Sequence, residues 1–334
     1  MKFHYSSLFI SLFAFVILAS SCDSSSTSQE KESKKTEEVK NVVIPIFNAD
    51  SAYKFVAEQV AFGPRVPNTK EHIAGGLYLE KTLKRFTPDV LVQEFQARAY
   101  NGTVLNGKNF IAQFNKEKSK RVLLAAHWDS RPYADHDPDE ANYHTAIDGA
   151  NDGASGVGVL MELARLMSKQ APDVGVDIVF FDLEDYGMPR FAGDGDNESW
   201  ALGSQHWANN PMPVGYNANF GILLDMVGAQ GIIFKMEHYS MYYAPHIVKK
   251  VWKQASLLGY DSIFLFEEGG YVMDDHIPVN QVMGIPMIDI IHYHESSEST
   301  FFPHWHTVND NMDAIDKSSL RIVGETVTSV VYYE

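Results

Sequence analysis

Residues 122–130 read VLLAAHWDS, and residues 146–167 read AIDGANDGASGVGVLMELARLM. An apolar run that stops at His127 and Asp129 is typical of a buried strand whose last side chains face a cleft. Asp152 follows in a Gly-rich turn, directly before apolar residues that recur at helical spacing. Ligands bind to open α/β sheets outside the carboxyl ends of the strands. This strand, turn and helix therefore predict a ligand site.

Strand and helix patterns alternate along the rest of the chain, and its 334 residues with 45% hydrophobic content can bury one large core. The predicted strands cover residues 109–114, 122–127, 177–183, 220–224 and 285–291, and the predicted helices cover residues 52–60, 72–86, 157–167, 244–258 and 317–333. Such alternation predicts an α/β fold. We expect a single-domain α/β/α sandwich with a central, mostly parallel mixed β-sheet and helices on both faces.

The N-terminal segment differs in composition from the rest of the chain. Lys2, an apolar run at residues 8–18 and small residues before Cys22 follow the plan of a secretory signal peptide, and the cysteine resembles a bacterial lipoprotein signal. Residues 23–39 are rich in Ser, Lys and Glu without any aromatic residue, so they cannot bury enough apolar surface to fold. An uncleaved anchor, or plain secretion with a chance cysteine, is the alternative.

These patterns divide the chain into three parts. We expect a signal peptide at residues 1–21, a disordered tether at residues 22–45 and one folded domain at residues 46–334. The protein would be an exported lipoprotein, periplasmic or facing the outer membrane of a bacterium, with Cys22 as the lipidation site. Contact with the membrane would then depend on the lipid anchor alone.

The formal net charge is -16. This charge argues against a nucleic-acid partner or an anionic membrane surface, because phosphate neutralisation needs clustered Lys and Arg. Cys22 is the only cysteine, which rules out an internal disulfide. We expect a monomer, and we interpret Trp200, Trp207 and Trp252 as packing residues.

Polar side chains recur after the ends of the predicted strands. They are His127, Asp152, Glu184, Asp185, Asp225, Asp275 and His306. A single residue at such a place is more often a helix cap, a turn residue or a satisfied core group. Several carboxylates together repel one another unless a cation or shared protons offset their charge. Carboxylates mixed with imidazole and without thiolate fit zinc in a catalytic site with an open position.

A zinc site of this kind has three protein ligands and a water. One carboxylate of the Glu184-Asp185 pair is then free to act as a general base, because the side chains of adjacent residues after a strand diverge. The chemistry of the residues alone leaves open which of the two binds the metal.

The same residues carry a family resemblance. The order of His127-x-Asp129, Asp152, Glu184-Asp185, Asp225 and His306 resembles the zinc aminopeptidase superfamily, whose fold the chain should share. More narrowly, the chain resembles the animal-type zinc glutaminyl cyclases (glutaminyl-peptide cyclotransferases) and their bacterial relatives. That narrower similarity rests on LLDMVGA at residues 223–229, GGYVMDDHIP at 269–278, GIPMIDII at 284–291 and WHT at 305–307. It covers the chain from about residue 52 to its end.

The resemblance implies roles for individual residues. Zinc would be bound by Asp152, Asp185 and His306. The animal members have Glu-Glu where this chain has Glu184-Asp185, and a shorter carboxylate can still bind zinc. The loop at residues 186–200 lacks the animal pattern, which leaves that side of the pocket undefined.

The implied reaction converts the N-terminal Gln of a peptide or protein to pyroglutamate and releases ammonia. Zinc would polarise the side-chain amide, while Glu184 takes a proton from the α-amine and later gives it to the leaving ammonia. Asp225 and Asp275 would form a hydrogen-bonded proton network beside Glu184, and Trp305 would form a wall of the substrate pocket. Asp275 and Trp305 imply a narrow pocket for one side chain. Such a pocket favours the cyclase.

Two alternatives use the same fold. In a di-zinc aminopeptidase, His127, Asp152 and Asp225 would bind a second ion and Glu184 would activate a water. In a one-zinc enzyme, His127 would instead be a hydrogen-bond partner of Asp225. A catalytically inactive binding protein would have lost metal ligands, and this sequence retains all of them.

Overall fold

A six-stranded mixed sheet lies at the centre of the fold, in a computed structural model that describes residues 42–193, 198–295, 297 and 299–334. The strands in chain order are β1 (Val90–Arg98), β2 (Val104–Phe114), β3 (Arg121–His127), β4 (Gly175–Phe181), β5 (Phe220–Asp225), β6 (Phe234–Met236), β7 (Phe264–Glu268) and β8 (Met287–Ile291). The central order is β1-β2-β4-β3-β5-β8, and β6 pairs with β7 in a second sheet. Strands β4, β3, β5 and β8 are mutually parallel, whereas β2 is antiparallel to both of its neighbours. The predicted mostly parallel mixed sheet is confirmed.

The helices lie on both faces of this sheet, as predicted. They are α1 (Ala49–Val60), α2 (Lys70–Leu83), α3 (Ala154–Met167), α4 (Leu202–Asn209), α5 (His238–Tyr243), α6 (Pro245–Leu257), α7 (His276–Pro278) and α8 (Lys317–Tyr333). Short 3₁₀ turns occur at Glu140–Asn142, Arg190–Ala192 and Met312–Ala314, and a π-helical turn at Val279–Met283 follows α7. Helices α1, α3, α6 and α8 contribute to the larger core on one face, and α4 packs on the other.

Strand β3 is buried along its whole length. Val122, Leu124 and Ala126 belong to the larger core. Leu123 and Ala125 point to the opposite face and belong to the smaller core. Because successive side chains of a strand point to opposite faces, a strand covered on both sides needs apolar residues at every position. The continuous apolar run in the sequence is the consequence of this double burial.

Helix α3 packs directly against the sheet and against α1. Every residue of α3 except Arg165 is buried. A Cβ added at Gly156 would lie 2.2 Å from the backbone oxygen of Leu224, and one added at Gly158 would lie 2.5 Å from a methyl group of Val56. The glycines of this helix therefore allow a close approach that no other residue permits.

Several elements were missed or shifted by the sequence patterns. The predictions did not include β1, α4, α5 or the small β6/β7 sheet, and β2 begins at Val104 rather than at Asn109. Val42 and Ile44, which were assigned to the tether, are partly buried against the larger core. The folded domain therefore includes residue 42, because these apolar side chains pack against the larger core.

The predicted signal peptide, the lipidation site Cys22 and residues 22–41 of the predicted tether lie outside the described residues. Within the part of the chain that is described, no helix combines the length and the apolar character that crossing a membrane requires.

The carboxyl ends of β3, β4, β5 and β8 meet at one edge of the sheet, because these strands are parallel and adjacent. This edge is where an open α/β sheet binds its ligands. His127 is the last residue of β3 and Asp225 the last residue of β5, so both lie at this edge.

Candidate active site

A small cavity lies at this edge of the sheet and brings most of the predicted site residues together. Its volume is about 60 Å³. The lining residues are Asp152, Glu184, Asp185, Trp200, Asp225, Met226, Val272, Met273, Asp274, Ile291, Phe301, Trp305 and His306. They come from the turn before α3, from the segment after β4, from the end of β5, and from loops before and after β8.

Three buried side chains form a group that could hold one metal ion. His306 Nε2 lies 3.1 Å from Asp185 Oδ1 and 3.6 Å from Asp152 Oδ2. One potential ligand atom from each of the three residues lies within 4.8 Å of the other two. Two carboxylates and one imidazole, without thiolate, are a donor set typical of catalytic zinc.

The burial of these groups supports a cation at this place. Asp185 is 1% exposed, and its Oδ2 atom has no hydrogen-bond partner among the described residues. A buried carboxylate oxygen without a partner is costly unless a cation or a proton offsets its charge. Asp152 is also buried, at 3% exposed. The residues present therefore fit a divalent metal ion such as zinc.

A second group shares Asp152 with the first. His127 Nε2 lies 2.9 Å from Asp152 Oδ1 and 3.3 Å from Asp225 Oδ1. Ligand atoms of His127, Asp152 and Asp225 again lie within 4.8 Å of one another. The two oxygens of Asp152 thus face two different histidines. The geometry accommodates His127 either as a hydrogen-bond partner of the two carboxylates or as a ligand of a second ion.

Asp129 positions the acidic pair that follows β4. Its carboxylate accepts hydrogen bonds from the backbone N–H of Glu184 at 3.1 Å and of Asp185 at 3.2 Å. Leu183, directly before the pair, has a φ of 58° and turns the chain sharply. Asp129 therefore orients the backbone of the site and is not itself among the cavity-lining residues.

Asp310 has a similar function at the turn before α3. Its two carboxylate oxygens accept the backbone N–H of Asn151 at 2.8 Å and of Asp152 at 3.1 Å. Gly153 follows in this turn, and a Cβ added there would lie 2.4 Å from His127 Nε2. The Gly-rich sequence is thus required by the close approach of the histidine ring to the backbone.

A buried ion pair lies behind His306. Arg131 donates two hydrogen bonds to the Asp135 carboxylate, at 2.7 and 2.8 Å, and Asp135 Oδ1 lies 3.5 Å from His306 Nδ1. Burial would raise the pKa of Asp135, but the Arg131 guanidinium beside it holds that pKa well below its usual range. A carboxylate behind a metal-binding histidine fixes the orientation and tautomer of the ring. The sequence patterns gave no indication of this pair.

Glu184 lies in the cavity beside the first group and is 8% exposed. Burial raises its pKa well above the usual range, an effect that His127 opposes and Asp185 reinforces. A cation bound next to it would act in the opposite direction. Burial and a neighbouring cation thus act on the pKa of Glu184 in opposite directions, and a carboxyl group in such a place can take up a proton and release it again.

The two members of the Asp274-Asp275 pair differ in their access to the cavity. Asp275, which was predicted to take part in a proton network beside Glu184, is completely buried and is not among the cavity-lining residues. Asp274 lines the cavity instead, together with Asp225. The two residues directly precede α7. Sequence adjacency could not show which of them faces the site.

Asp289 is a further buried acid that the sequence interpretation missed. It belongs to β8, is 1% exposed, and forms a close cluster with Asp274 and His276. Burial raises the pKa of Asp289, and the neighbouring carboxyl of Asp274 raises it further. An aspartate inside the otherwise apolar strand sequence MIDII was the available signal.

Two tryptophans enclose the ring of His306. The Trp305 ring stacks on it with centroids 3.7 Å apart, and the Trp200 ring is parallel to it at 6.0 Å. Trp207 and Trp252 are fully buried packing residues, as predicted. Trp200 is not, because it lines the cavity and lies under the Arg131 guanidinium at 4.6 Å. Residues 194–197 of the adjoining loop lie outside the described residues.

A model of peptidase family M28 matches residues 109–331 of the chain. Among solved structures, a glutaminyl cyclase of Bacteroides thetaiotaomicron bound to N-acetylhistamine is 52% identical with a TM-score of 0.86, and the match covers 87% of this chain and 100% of that chain. A Zn-dependent exopeptidase of Parabacteroides distasonis is also 52% identical with a TM-score of 0.86, over 87% of this chain and 100% of that one.

Two curated relatives match with lower identity. Aminopeptidase YwaD of Bacillus subtilis is 28% identical over 63% of this chain and 40% of that protein. The glutaminyl-peptide cyclotransferase of Bos taurus is 27% identical over 64% of this chain and 62% of that protein. The match thus spans less than two thirds of the length of either relative.

Proposed function

The chain belongs to peptidase family M28, and within this family we propose that it is a zinc-dependent glutaminyl-peptide cyclotransferase. Its substrates would be peptides or proteins that begin with Gln. The observation that carries the proposal is the small cavity of about 60 Å³, in which Glu184 stands beside a three-residue metal group. The similarity to a bacterial glutaminyl cyclase over nearly all of the described chain supports it.

We propose Asp152, Asp185 and His306 as the ligands of one zinc ion. Zinc bound there would act as a Lewis acid on the side-chain amide of the substrate Gln. Asp129, Asp135 and Asp310 have no direct part in binding it. They hold the three ligands in position through the contacts described above.

The residues of the chain perform the proton transfers. Glu184 would accept a proton from the α-amine of the substrate, so that the amine can attack the carbonyl carbon of its own side chain. The C–N bond to the leaving group then breaks, and Glu184 returns the proton to the departing ammonia. Asp225 and Asp274 line the cavity next to Glu184 and would share protons with it.

Cyclisation needs little more than a fixed conformation. The attacking amine and the amide belong to the same residue, so the reaction is intramolecular once the side chain is bent toward the amine. We propose that Trp305 and Trp200, which line the cavity, enforce this bent form and exclude bulk water. A cavity this small can take no more than one side chain, so the rest of the peptide lies outside it.

A di-zinc aminopeptidase is the second candidate. The group of His127, Asp152 and Asp225 favours it, because a second ion could bind there and share Asp152 with the first. A 52% identical neighbour is described as an exopeptidase, which is consistent with this candidate. We prefer the cyclase because the cavity that holds the metal group is small, about 60 Å³, and because His127 can serve as a hydrogen-bond partner of Asp152, at 2.9 Å, without a second ion.

One experiment separates the two candidates. Zinc-loaded protein is offered two peptides that differ only in their first residue, Gln or Leu, and the products are analysed for ammonia and by mass spectrometry. Loss of ammonia from the Gln peptide without shortening supports the cyclase. Release of free leucine supports the aminopeptidase, and the absence of both products would contradict the two proposals together.

We also propose that the enzyme is exported and held at a membrane by a lipid on Cys22. The proposal is supported by the apolar run and small residues before that cysteine. In a bacterial host, the full-length chain should fractionate with membranes, and Cys22→Ala should move it to the soluble fraction. A variant that stays with the membranes would instead indicate an uncleaved anchor.

A further inference from the structure

A pocket between helix α2 and strand β2 has no part in the chemistry described above. We call it the α2 pocket. Its volume is about 360 Å³, compared with about 60 Å³ for the active-site cavity. Its walls are residues of α2 and β2, and Trp128 lies between them. No lining residue of the α2 pocket also lines the active-site cavity, so the two spaces share no wall.

The buried lining residues, which form the floor of the pocket, are rings that the protein holds in place. The Trp128 ring stacks on that of His72, with centroids 4.4 Å apart and an interplanar angle of 14°. The indole N–H of Trp128 donates to the backbone oxygen of Lys108 at 3.0 Å, and His72 Nε2 lies 2.8 Å from Asp182 Oδ1. The Phe110 ring adds a third surface, with its centroid 5.6 Å from that of Trp128. The floor is therefore formed before any ligand arrives, as is usual for small-molecule sites.

Gly76 of α2 borders the pocket next to two of these rings. A Cβ added at this position would lie 3.2 Å from Trp128 Cη2 and 3.4 Å from Phe110 Cζ. Glycine inside a helix is unfavourable relative to alanine, because it loses more conformational freedom on folding. At this position the missing methyl group leaves space above the two rings. The helix therefore has a residue of low propensity where that residue enlarges the pocket.

Apolar side chains at the rim of the pocket are left largely in water. Ile73 is 58% exposed and Leu77 is 60% exposed. The two residues are four positions apart in α2, so they form one ridge on the helix surface. Apolar surface that lies beside a concave, largely apolar space becomes favourable when a ligand covers it.

The charged residues that line the pocket are paired with neighbours. Lys108 Nζ lies 2.7 Å from Glu94 Oε1, and Glu80 Oε1 lies 2.5 Å from Lys84 Nζ. At the floor, the His72 ring faces the Asp182 carboxylate, as described above. Each charged group among the described lining residues thus has an opposite charge beside it. A charged ligand would find no unpaired partner here and would lose its hydration, so the pocket favours an uncharged one.

We propose that the α2 pocket binds an uncharged, planar aromatic molecule, with its ring system against Trp128 and Phe110. The volume of the pocket lies in the range of small-molecule sites, about 300–1,000 Å³. Offset-stacked and edge-to-face contacts between aromatic rings add to the gain from burial alone, so the floor favours an aromatic ligand over an aliphatic one. The outer edge of the ligand would cover part of the ridge formed by Ile73 and Leu77.

The test compares three probes of similar size on zinc-loaded protein. They are naphthylmethanol, its saturated counterpart decahydronaphthylmethanol, and the anion naphthoate. Calorimetry should show that naphthylmethanol binds about tenfold more tightly than either of the other two. NMR of the tryptophan indole N–H groups locates the probe: the signal of Trp128 should shift, and those of Trp200 and Trp305 at the active-site cavity should not.

Substitutions at the rim and the floor test the same site. Leu77→Asp places a carboxylate at the rim and should weaken binding of naphthylmethanol by about tenfold. Leu257→Asp is the matched control, on helix α6 at a position that is 71% exposed, and it should keep the wild-type affinity. Neither change removes a buried side chain, so both variants should fold. Gly76→Ala adds a methyl group beside the floor and should also weaken binding by about tenfold.

Several results would overturn the proposal. They are no binding of naphthylmethanol, equal affinity for the three probes, signal shifts at Trp200 or Trp305 in place of Trp128, and equal effects of the two leucine substitutions. Light scattering adds one more: a dimer of this chain that Leu77→Asp dissociates would show that a second copy, and no small molecule, covers the ridge. The proposed cyclase function is independent of all these outcomes, because the two sites share no residue.

Discussion

The Nδ1 atom of His306 lies 3.5 Å from Asp135 Oδ1, while the Nε2 atom of the same ring lies 3.1 Å from Asp185. One ring nitrogen therefore faces the Asp135 carboxylate, and the other faces the proposed metal group. Asp135→Asn should lower zinc affinity by about 10- to 100-fold, because the carboxylate that orients the histidine is lost. Competition with a chelator measures this affinity.

The matched control for that change is Asp139→Asn, at an exposed position of the same loop. It should leave zinc affinity unchanged. Asp135→Asn should also lower the melting temperature, because Arg131 loses its buried partner. Wild-type zinc affinity in the Asp135 variant would mean that His306 needs no such support.

Glu184→Gln should retain the fold and the zinc but lower turnover of a Gln peptide by about 10²- to 10⁴-fold. Glutamine has the same shape as glutamate and cannot take up the proton of the α-amine. Ammonia release measures the rate, and metal analysis of the same sample shows that the site is loaded. A variant with nearly full turnover would remove Glu184 from the proton transfer.

Asp274→Asn and Asp275→Asn test which member of this pair takes part in the reaction. Asp274 lines the cavity, so its substitution should lower kcat by at least about tenfold. Burial raises the pKa of Asp275 to about 7, and this residue is completely enclosed. Asp275→Asn should change the free energy of unfolding while kcat stays within about threefold of wild type. The reverse pattern would restore Asp275 to the proton network.

Gly153→Ala should disturb the metal site without touching any ligand. The added Cβ would lie 2.4 Å from His127 Nε2, so the ring or the turn that carries Asp152 must move. Overpacking of this kind costs about 1–3 kcal/mol, and we expect weaker zinc binding and lower turnover. Gly270→Ala is the control, since its Cβ would meet only Tyr293, at 3.9 Å. Equal effects of the two changes would contradict the close-packing argument.

A buried ion pair away from the site makes stability depend on pH. His72 Nε2 lies 2.8 Å from Asp182 Oδ1. Burial alone lowers the pKa of His72, but the Asp182 carboxylate outweighs it and raises the pKa above the ordinary 6.5. The ion pair therefore makes its full contribution to stability below pH 6.5. This contribution is lost as the pH rises through the raised pKa of His72.

In the wild-type protein, the free energy of unfolding should fall as the pH rises above about 6.5. In His72→Gln this fall should be smaller. Denaturant titrations at a series of pH values measure it. His246→Gln, at an exposed position of α6, should keep the wild-type slope. If both variants retain the slope, the pH dependence comes from other groups.

Much of the scaffold could be predicted because burial leaves a clear pattern. The doubly covered strand β3 and the amphipathic α8 were both identified from apolar spacing. Strand β1 was missed because it is an edge strand with Gln93, Glu94 and Gln96 among its residues, so no continuous apolar run marks it. A half-exposed edge strand has a composition close to that of a loop.

The site was partly predictable for a different reason. Parallel strands bring their carboxyl ends together, so acids after several strands could be expected to meet at one edge. Side-chain direction within a turn is not encoded in this way, and the sequence could not separate Asp274 from Asp275. Partners that meet across loops, such as Asp135 with His306, depend on tertiary structure and left no local pattern.

Asp152 presents one oxygen to His127 and the other to His306. The same carboxylate could bind both ions of a two-ion hydrolase or the single ion of a one-ion cyclase. Divergence between the two chemistries would then require only new side chains around the mouth of the cavity, with the backbone of the sheet unchanged.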